Sequence, residues 1–307
     1  MMRFPSFLSQ RQSGRWRQRW LAALAALALA GLPVAAQALG QAEVLRSQYQ
    51  SLAGQLADND FGRPMVINSR EAGDMLQGDV YAVLDHPFAT VNAALEQPGP
   101  WCDILILPFN TKYCRASMAG GQPVLKVRIG RKYDQPLKDA YLLAFNWSRR
   151  AGTASDYFET QLTAADGPLG THDYRVTVSA VPIDAGRSFL HLHYAYRYGL
   201  AGRLAMQAYL ATAGAGKVGF TVDGQDRDGQ IRYIGGLRGV IERNAMRYYL
   251  AIDAYLAALS APPQEQRERR IQRWFNESER YARQLREMDR PTYVALKRGE
   301  YERQQAN

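Results

Sequence analysis

Acidic residues are missing from the first 38 positions of this 307-residue chain, which hold Arg3, Arg11, Arg15, Arg17 and Arg19. The whole chain carries 38 Lys+Arg against 29 Asp+Glu, a formal charge of +9 that invites a nucleic-acid partner. Nine less those five arginines leaves +4 on residues 39–307, so most of the basic excess sits in one terminal segment. Cysteine is also scarce. Cys102 and Cys114 are the only two, and their spacing is not that of a Cys-x-x-Cys redox or metal motif. A helix crossing a bilayer needs about 20 apolar residues. The longest apolar run, 20–32, is too short, and no later one is longer. There is no Gly-x-Ser-x-Gly elbow, which leaves no signature of an α/β-hydrolase nucleophile. With 47% hydrophobic and 22% charged residues, the composition excludes a disordered or collagen-like chain.

What is present at the start has an order. Arg15, Arg17 and Arg19 precede the Leu/Ala-rich run 20–32, Pro33 breaks it, and Ala36-Gln37-Ala38 supplies small residues. That is the basic, apolar and cleavage-site order of a secretory signal peptide. Residues 1–38 are therefore read as a cleaved signal and the mature protein as periplasmic. No Arg-Arg pair supports a twin-arginine route, and no cysteine follows the apolar run to carry a lipid anchor. In an oxidising compartment an even cysteine count favours a structural bond, here Cys102 to Cys114. Closing so short a loop contributes about 3 kcal/mol if unstrained.

Periodicity then divides the chain. Leu45, Tyr49, Leu52 and Leu56 recur at helical steps, and turn residues follow at 59–64. Residues 78–84 read as a first strand, 88–95 as a helix and 101–107 as a second helix or buried segment. Pro98-Gly99-Pro100 stands between them as a breaker. From Pro123 the period changes to two. Leu125, Val127 and Ile129 share a face, as do Tyr141, Leu143, Phe145 and Trp147, and residues 157–162 form a weaker strand. Tyr174, Val176 and Val178 continue the pattern, and Leu190, Leu192, Tyr194, Tyr196 and Tyr198 alternate against His191, His193 and Arg197. This is an antiparallel meander with one buried, aromatic face. A helix over 200–211, a short strand over 217–222 and a long helix over 237–259 follow, the last ended by Pro262-Pro263. Ile271, Trp274, Ser278, Tyr281, Leu285 and Met288 form a narrow seam on a charged helix, which either docks back or pairs with another chain.

The element order, with the segments Gly78-Asp79-Val80-Tyr81-Ala82-Val83-Leu84-Asp85-His86-Pro87-Phe88, Trp101-Cys102-Asp103-Ile104-Leu105 and Glu242-Arg243-Asn244-Ala245-Met246-Arg247-Tyr248-Tyr249-Leu250, resembles an exported bacterial branch of the START-like (SRPBCC) superfamily. The resemblance spans about 69–259. It rests on architecture rather than on a catalytic signature. It implies an α+β helix-grip fold, in which a curved antiparallel sheet wraps a long C-terminal helix around an apolar cavity. Here extra N- and C-terminal helices and an insertion at 217–233 are added. The division that follows is a signal peptide at 1–38, an N-terminal helical segment at 39–68, the START-like domain at 69–260 and a charged helical tail at 261–307.

By alternation alone the aromatic stripe is as well explained by core packing as by a cavity; the resemblance makes it a cavity wall. The expected lining is Tyr141, Leu143, Phe145, Trp147, Tyr194, Tyr196 and Tyr198 from the strands, with Tyr248 and Ile252 from the long helix. Tyrosine suits such a wall because it joins apolar area to a hydroxyl. The basic residues Lys126, Arg128, Arg175 and Arg197 fall on the other face, against RNA stacking. His191 and His193 point the same way but need a third ligand, and His86 or His172 could approach only by accident of fold. No metal is therefore expected, and no cofactor. Asp223, Asp226 and Asp228 lack the spacing and the Glu of a calcium loop, and Gly214-Ala215-Gly216-Lys217 lacks the spacing of a phosphate loop. The expected function is non-enzymatic binding or carriage of a hydrophobic ligand such as a lipid or isoprenoid. A cyclase- or hydrolase-like enzyme using the same cavity, contact with a membrane surface, and a partner protein held through 271–288 stay open as alternatives.

Overall fold

The computed structural model describes residues 32–150, 156–212 and 214–306. Most of the expected signal segment lies outside them. Residues 32–38 belong to helix α1 (Leu32–Ser51), and the 20–32 run, expected to break at Pro33, lies outside the described residues up to position 31.

Eight strands form one antiparallel sheet: β1 (Met65–Ala72), β2 (Met75–Leu84), β3 (Thr111–Ala119), β4 (Gln122–Ile129), β5 (Tyr141–Arg150), β6 (Phe158–Asp166), β7 (Thr171–Pro182) and β8 (Ser188–Tyr198). Their order is β1-β2-β8-β7-β6-β5-β4-β3, so a continuous meander from β3 to β8 is closed at its end by the β1–β2 hairpin. Two of these strands are invisible to alternation. β1 keeps an apolar pattern only in Met65, Val66 and Ile67, and its second half is polar and largely exposed. In β3 a register shift between Thr111 and Tyr113 breaks the period of two, so Thr111 and Lys112 are both buried.

The fold is α+β, a curved sheet closed on its inner face by one long helix, as expected. On that face Leu76, Val80, Leu125, Val127, Leu162, Val176, Leu190 and Leu192 meet α3 (Phe88–Leu95), α4 (Pro98–Leu105) and α6 (Gly236–Ala258) in one core. Pro98 and Pro100 open α4 rather than ending α3, because proline fits the first turn of a helix. The sulfurs of Cys102 on α4 and Cys114 on β3 are bonded, which ties this helix to the sheet edge. Ile241 and Ala245 of α6 sit directly over Gly78 of β2, where an added Cβ would lie 3.1 Å from Ile241 Cγ1 and 3.3 Å from Ala245 Cβ. Glycine is required there for close approach, not for its backbone freedom. On the outer face, Leu45 and Tyr49 of α1, with Leu52 and with Leu56 of α2 (Ala53–Ala57), pack on Val66, Val83, Val181 and Phe189.

The expected strand at 217–222 is displaced. It begins at 222, as β9 (Val222–Gln225) in an exposed hairpin with β10 (Ile231–Tyr233), and Asp226 accepts the backbone N–H groups of Asp228 and Gln230 in its turn. Of residues 217–221, Phe220 and Thr221 are instead held by Glu242, which is buried and accepts their N–H groups.

The C-terminal segment is three helices, not one: α7 (Pro263–Glu279), α8 (Ala282–Leu285) and α9 (Arg290–Ala306). The seam docks back on its own domain, since Ile271, Trp274, Phe275, Tyr281 and Leu285 join the inner core. The Trp274 indole donates to the carbonyl of Arg247 on α6, and the hydroxyls of Tyr293 and Tyr301 donate to the carbonyls of Leu107 and Asp103. Deeper still, Glu300 accepts from Lys112 at 2.9 Å and from Lys297 at 2.7 Å, and all three side chains are fully buried. Lys297 also donates to the carbonyls of Pro108 and Thr111. Burial outweighs Glu300 and brings the Lys297 ammonium down to about 8.

Two substitutions test this packing. Gly78→Val should lower stability by about 1–3 kcal/mol through overpacking against α6, read as a reduced urea midpoint. Glu300→Gln leaves two buried ammonium groups without their carboxylate and should cost about 3–5 kcal/mol. An unchanged thermal midpoint in Glu300→Gln would show that the triad does not hold α9.

Candidate functional site

Strand β8 points two different chemistries to the two faces of the sheet. Leu190, Leu192, Tyr194, Tyr196 and Tyr198 face inward, and His191, His193 and Arg197 face outward, because successive side chains alternate. Register then sets the neighbours. Tyr194 lies opposite Val176 and Gly78, and His193 opposite Thr177 and Asp79.

On the inner face the core does not fill completely. A cavity of about 340 Å³ is left between the sheet, α6 and α5 (Leu200–Ala211). Its sheet wall is Ile129, Leu143, Phe145, Tyr174, Tyr194 and Tyr196. Val240, Asn244 and Tyr248 line it from α6, one turn apart, and Gly202, Ala205, Met206 and Tyr209 close it from α5. The rings pack against one another. Tyr174 stacks on Tyr196 at 5.2 Å, and Tyr194 meets Tyr248 edge to face at 5.2 Å.

The hydroxyls are not equivalent. Tyr174 and Thr171 share a hydrogen bond of 2.7 Å, and the Tyr196 hydroxyl donates to Met206 Sδ at 3.8 Å. Among the described residues the hydroxyls of Tyr194 and Tyr248 have no hydrogen-bond partner, although both side chains line the cavity. Burial pushes the phenols of Tyr174, Tyr194, Tyr196 and Tyr248 upward, so all four are neutral donors at neutral pH. The described lining contains no carboxylate, imidazole, amine, guanidinium or thiol.

One end of the cavity is electropositive. Behind Asn244 and Tyr209, the side chains of Lys132, Lys217 and Arg247 converge on Glu287 at 2.6, 3.3 and 2.7 Å, three cations on one carboxylate. Arg247 also donates to Asn244 Oδ1 at 3.4 Å, and the Lys132 ammonium stands 5.7 Å from the Tyr209 ring centre. Burial alone would raise the Glu287 carboxyl, but Arg247 and Lys132 hold it below its ordinary value.

Of the residues expected at the cavity, Leu143, Phe145, Tyr194, Tyr196 and Tyr248 line it. Tyr141 does not. It starts β5 at the sheet's end and is 51% exposed. Trp147 lies past the cavity along β5, packed on the core, and Ile252 is buried in the core two turns beyond Asn244 on α6. Tyr198 is turned away, its hydroxyl donating to Glu71 at 3.0 Å. Asn110, Met206, Tyr209, Val240 and Asn244 were not anticipated. The i, i+3, i+7 spacing of Gly202, Ala205 and Tyr209 was the available signal for the α5 wall.

On the outer face His191 and His193 do find a third group, and it is neither His86 nor His172. Asp79 Oδ1 lies 2.7 Å from His191 Nε2 and 2.8 Å from His193 Nδ1. Burial would raise the Asp79 carboxyl, but the two imidazole hydrogen bonds hold it down at about 2, so the carboxylate accepts and both rings donate. Both imidazoles line a cleft of about 390 Å³ whose other wall is Gln41, Val44, Leu45 and Gln48 of α1.

No family model matches the chain, and no curated protein matches it. Solved structures similar to it include a conserved protein from Geobacillus kaustophilus, 11% identical, covering 59% of this chain and 95% of that one with a TM-score of 0.35. The Zhui aromatase/cyclase from Streptomyces sp. R1128 is 14% identical, covering 68% and 96% with a TM-score of 0.31. Norcoclaurine synthase from Thalictrum flavum is 15% identical, covering 48% and 86% with a TM-score of 0.30.

The unequal hydroxyls have a measurable consequence. Removing the Tyr174 hydroxyl breaks an internal hydrogen bond, and Tyr174→Phe should cost about 1 kcal/mol. Tyr194→Phe and Tyr248→Phe break none and should stay within about 0.5 kcal/mol of the parent in chemical denaturation.

Proposed function

We propose that this protein binds, without covalent chemistry, one small and largely apolar molecule, such as a lipid or isoprenoid, in the cavity between the sheet and α6. The observation that carries the reading is the unfilled tyrosine-lined space itself. The hydroxyls of Tyr194 and Tyr248 point to an occupant with a polar group, since neither has a partner among the described residues. Asn244 and the cations around Glu287 favour placing that group, electron-rich, at the Tyr209 end. Burying about 300 Å² of such a ligand at roughly 25 cal/mol/Å² contributes about 7 kcal/mol before association costs. Binding is preferred to catalysis because the described lining offers no general base or nucleophile besides neutral phenols.

The same reading places the protein in the periplasm. It draws on the signal-like order of residues 1–38 and on the Cys102–Cys114 bond, which suits an oxidising compartment. Leu169, which lines the cavity, and Leu200 and Leu204 of α5 are exposed side by side, at 56%, 76% and 57%. An apolar edge beside a cavity mouth fits delivery from a membrane surface.

Native mass spectrometry and solvent extraction of the protein purified under non-denaturing conditions test this. One apolar molecule per chain is expected. In Ala205→Trp, a partly exposed position on the α5 wall, the indole would occupy the cavity, and the adduct should disappear while the fold is kept. An adduct that survives Ala205→Trp, or a parent that retains no apolar molecule and no fluorescent fatty-acid probe, would sink the reading.

A further inference from the structure

We propose that Asp79, His191 and His193 form a binding site for a divalent transition-metal ion of the zinc type, on the outer face of the sheet beneath α1. The three side chains each offer a ligand atom, and these atoms all lie within 4.8 Å of one another. Two imidazoles and one carboxylate are a donor set that zinc and its neighbours accept, with the remaining positions left to water.

The backbone builds this arrangement. His193 is paired directly with Asp79 across β8 and β2, and His191 is paired with Tyr81, which puts it diagonal to Asp79 on the same face. Cross-strand and diagonal neighbours on one face are within side-chain reach. The His191 ring is further fixed by stacking on Tyr81, with centroids 4.3 Å apart and planes 7° apart. The three ligands therefore stand on adjacent central strands, where the sheet limits their movement. An ion at about 2.0–2.1 Å from each ligand atom would open the present contacts of 2.7 and 2.8 Å by only about half an ångström.

The protons balance without an outside partner. In the empty site each ring donates the N–H that faces Asp79 Oδ1. When the ion enters, His191 moves its proton from Nε2 to Nδ1 and His193 moves its own from Nδ1 to Nε2. The two freed lone pairs and the carboxylate then face the metal. Access comes from the cleft against α1, where Gln41 and Gln48 stand across from both imidazoles and Thr177 and Ser179 flank them on β7. Tyr194 follows His193 in the chain but faces the apolar cavity, so the two sites share a strand and not a surface.

Untagged, chelator-treated full chain titrated with Zn²⁺ by calorimetry, and with Co²⁺ by its visible d–d absorption, tests the proposal. One ion per chain is expected. His191→Ala, His193→Ala and Asp79→Asn should each weaken binding at least about tenfold, the low end for disturbing a ligand set. His172→Ala, whose ring is exposed beside Asp173, should not change it. Circular dichroism of each variant separates loss of the site from loss of the fold. Failure of the parent to bind either ion, or full affinity retained by any of the three site variants, overturns the assignment.

Discussion

Because Gly78 has no side chain, β2 lets Ile241 and Ala245 of α6 come down onto the backbone of the sheet. That contact fixes how deep the long helix sits, and the rest of the interior follows from it. At this crossing α6 seals the core completely, with Ile241, Ala245 and Tyr249 inaccessible. On the neighbouring face of the same turns, Val240, Asn244 and Tyr248 stand over a gap above β5, β7 and β8, where Tyr248 meets Tyr194 of the sheet. The gap is filled partly by tyrosine rings and partly by nothing, and α5 closes it. The cavity thus lies beside the Gly78 crossing, at the same level of α6, where Val240, Asn244 and Tyr248 line it while Ile241 and Ala245 seat on the sheet.

The C-terminal helices convert an open sandwich into a closed one. α7 covers α6, and α9 covers the β3 edge through Tyr301, Lys297 and Glu300. A buried triad of two ammonium groups and one carboxylate is an expensive way to fasten a helix, since desolvation offsets most of the attraction. What it provides is placement. The Lys297 ammonium donates to the carbonyls of Pro108 and Thr111 at the bulged start of β3. The disulfide reaches the same strand from the α4 side, so the irregular edge is held by a covalent and an ionic clasp.

Strand β8 presents a different chemistry to each face of the sheet. Its inward residues are apolar area with hydroxyls, and its outward residues are imidazoles set against a carboxylate. Alternation at one residue per face puts an apolar pocket and a polar cluster back to back with no shared atoms. A ligand in the cavity and an ion in the cleft would be separated by the thickness of one sheet.

Much of this was legible in the amino-acid order, for reasons specific to each element. The helix at 88–95 and the strands β4, β7 and β8 announced themselves because each has a face in the core, and the helix at 200–211 was readable although only Gly202 of it is buried. The stripe of Tyr194 and Tyr196 and the long helix were readable on the same grounds, and the pairing of Cys102 with Cys114 from the even cysteine count. Strands β1 and β3 were not. One is half polar, and the other shifts its own period at a bulge. Nor could spacing show that Tyr141 is exposed while Tyr174 is enclosed, since both alternate correctly and only the position of Tyr141 at the first residue of β5 puts it at the sheet's end. Asp79 stood in plain sight in the first strand that periodicity identified. What made it a partner of two histidines more than a hundred residues away was the β2–β8 register, set by the whole sheet. Local pattern fixes which side of an element a residue faces; only the closed sheet decides what it meets there.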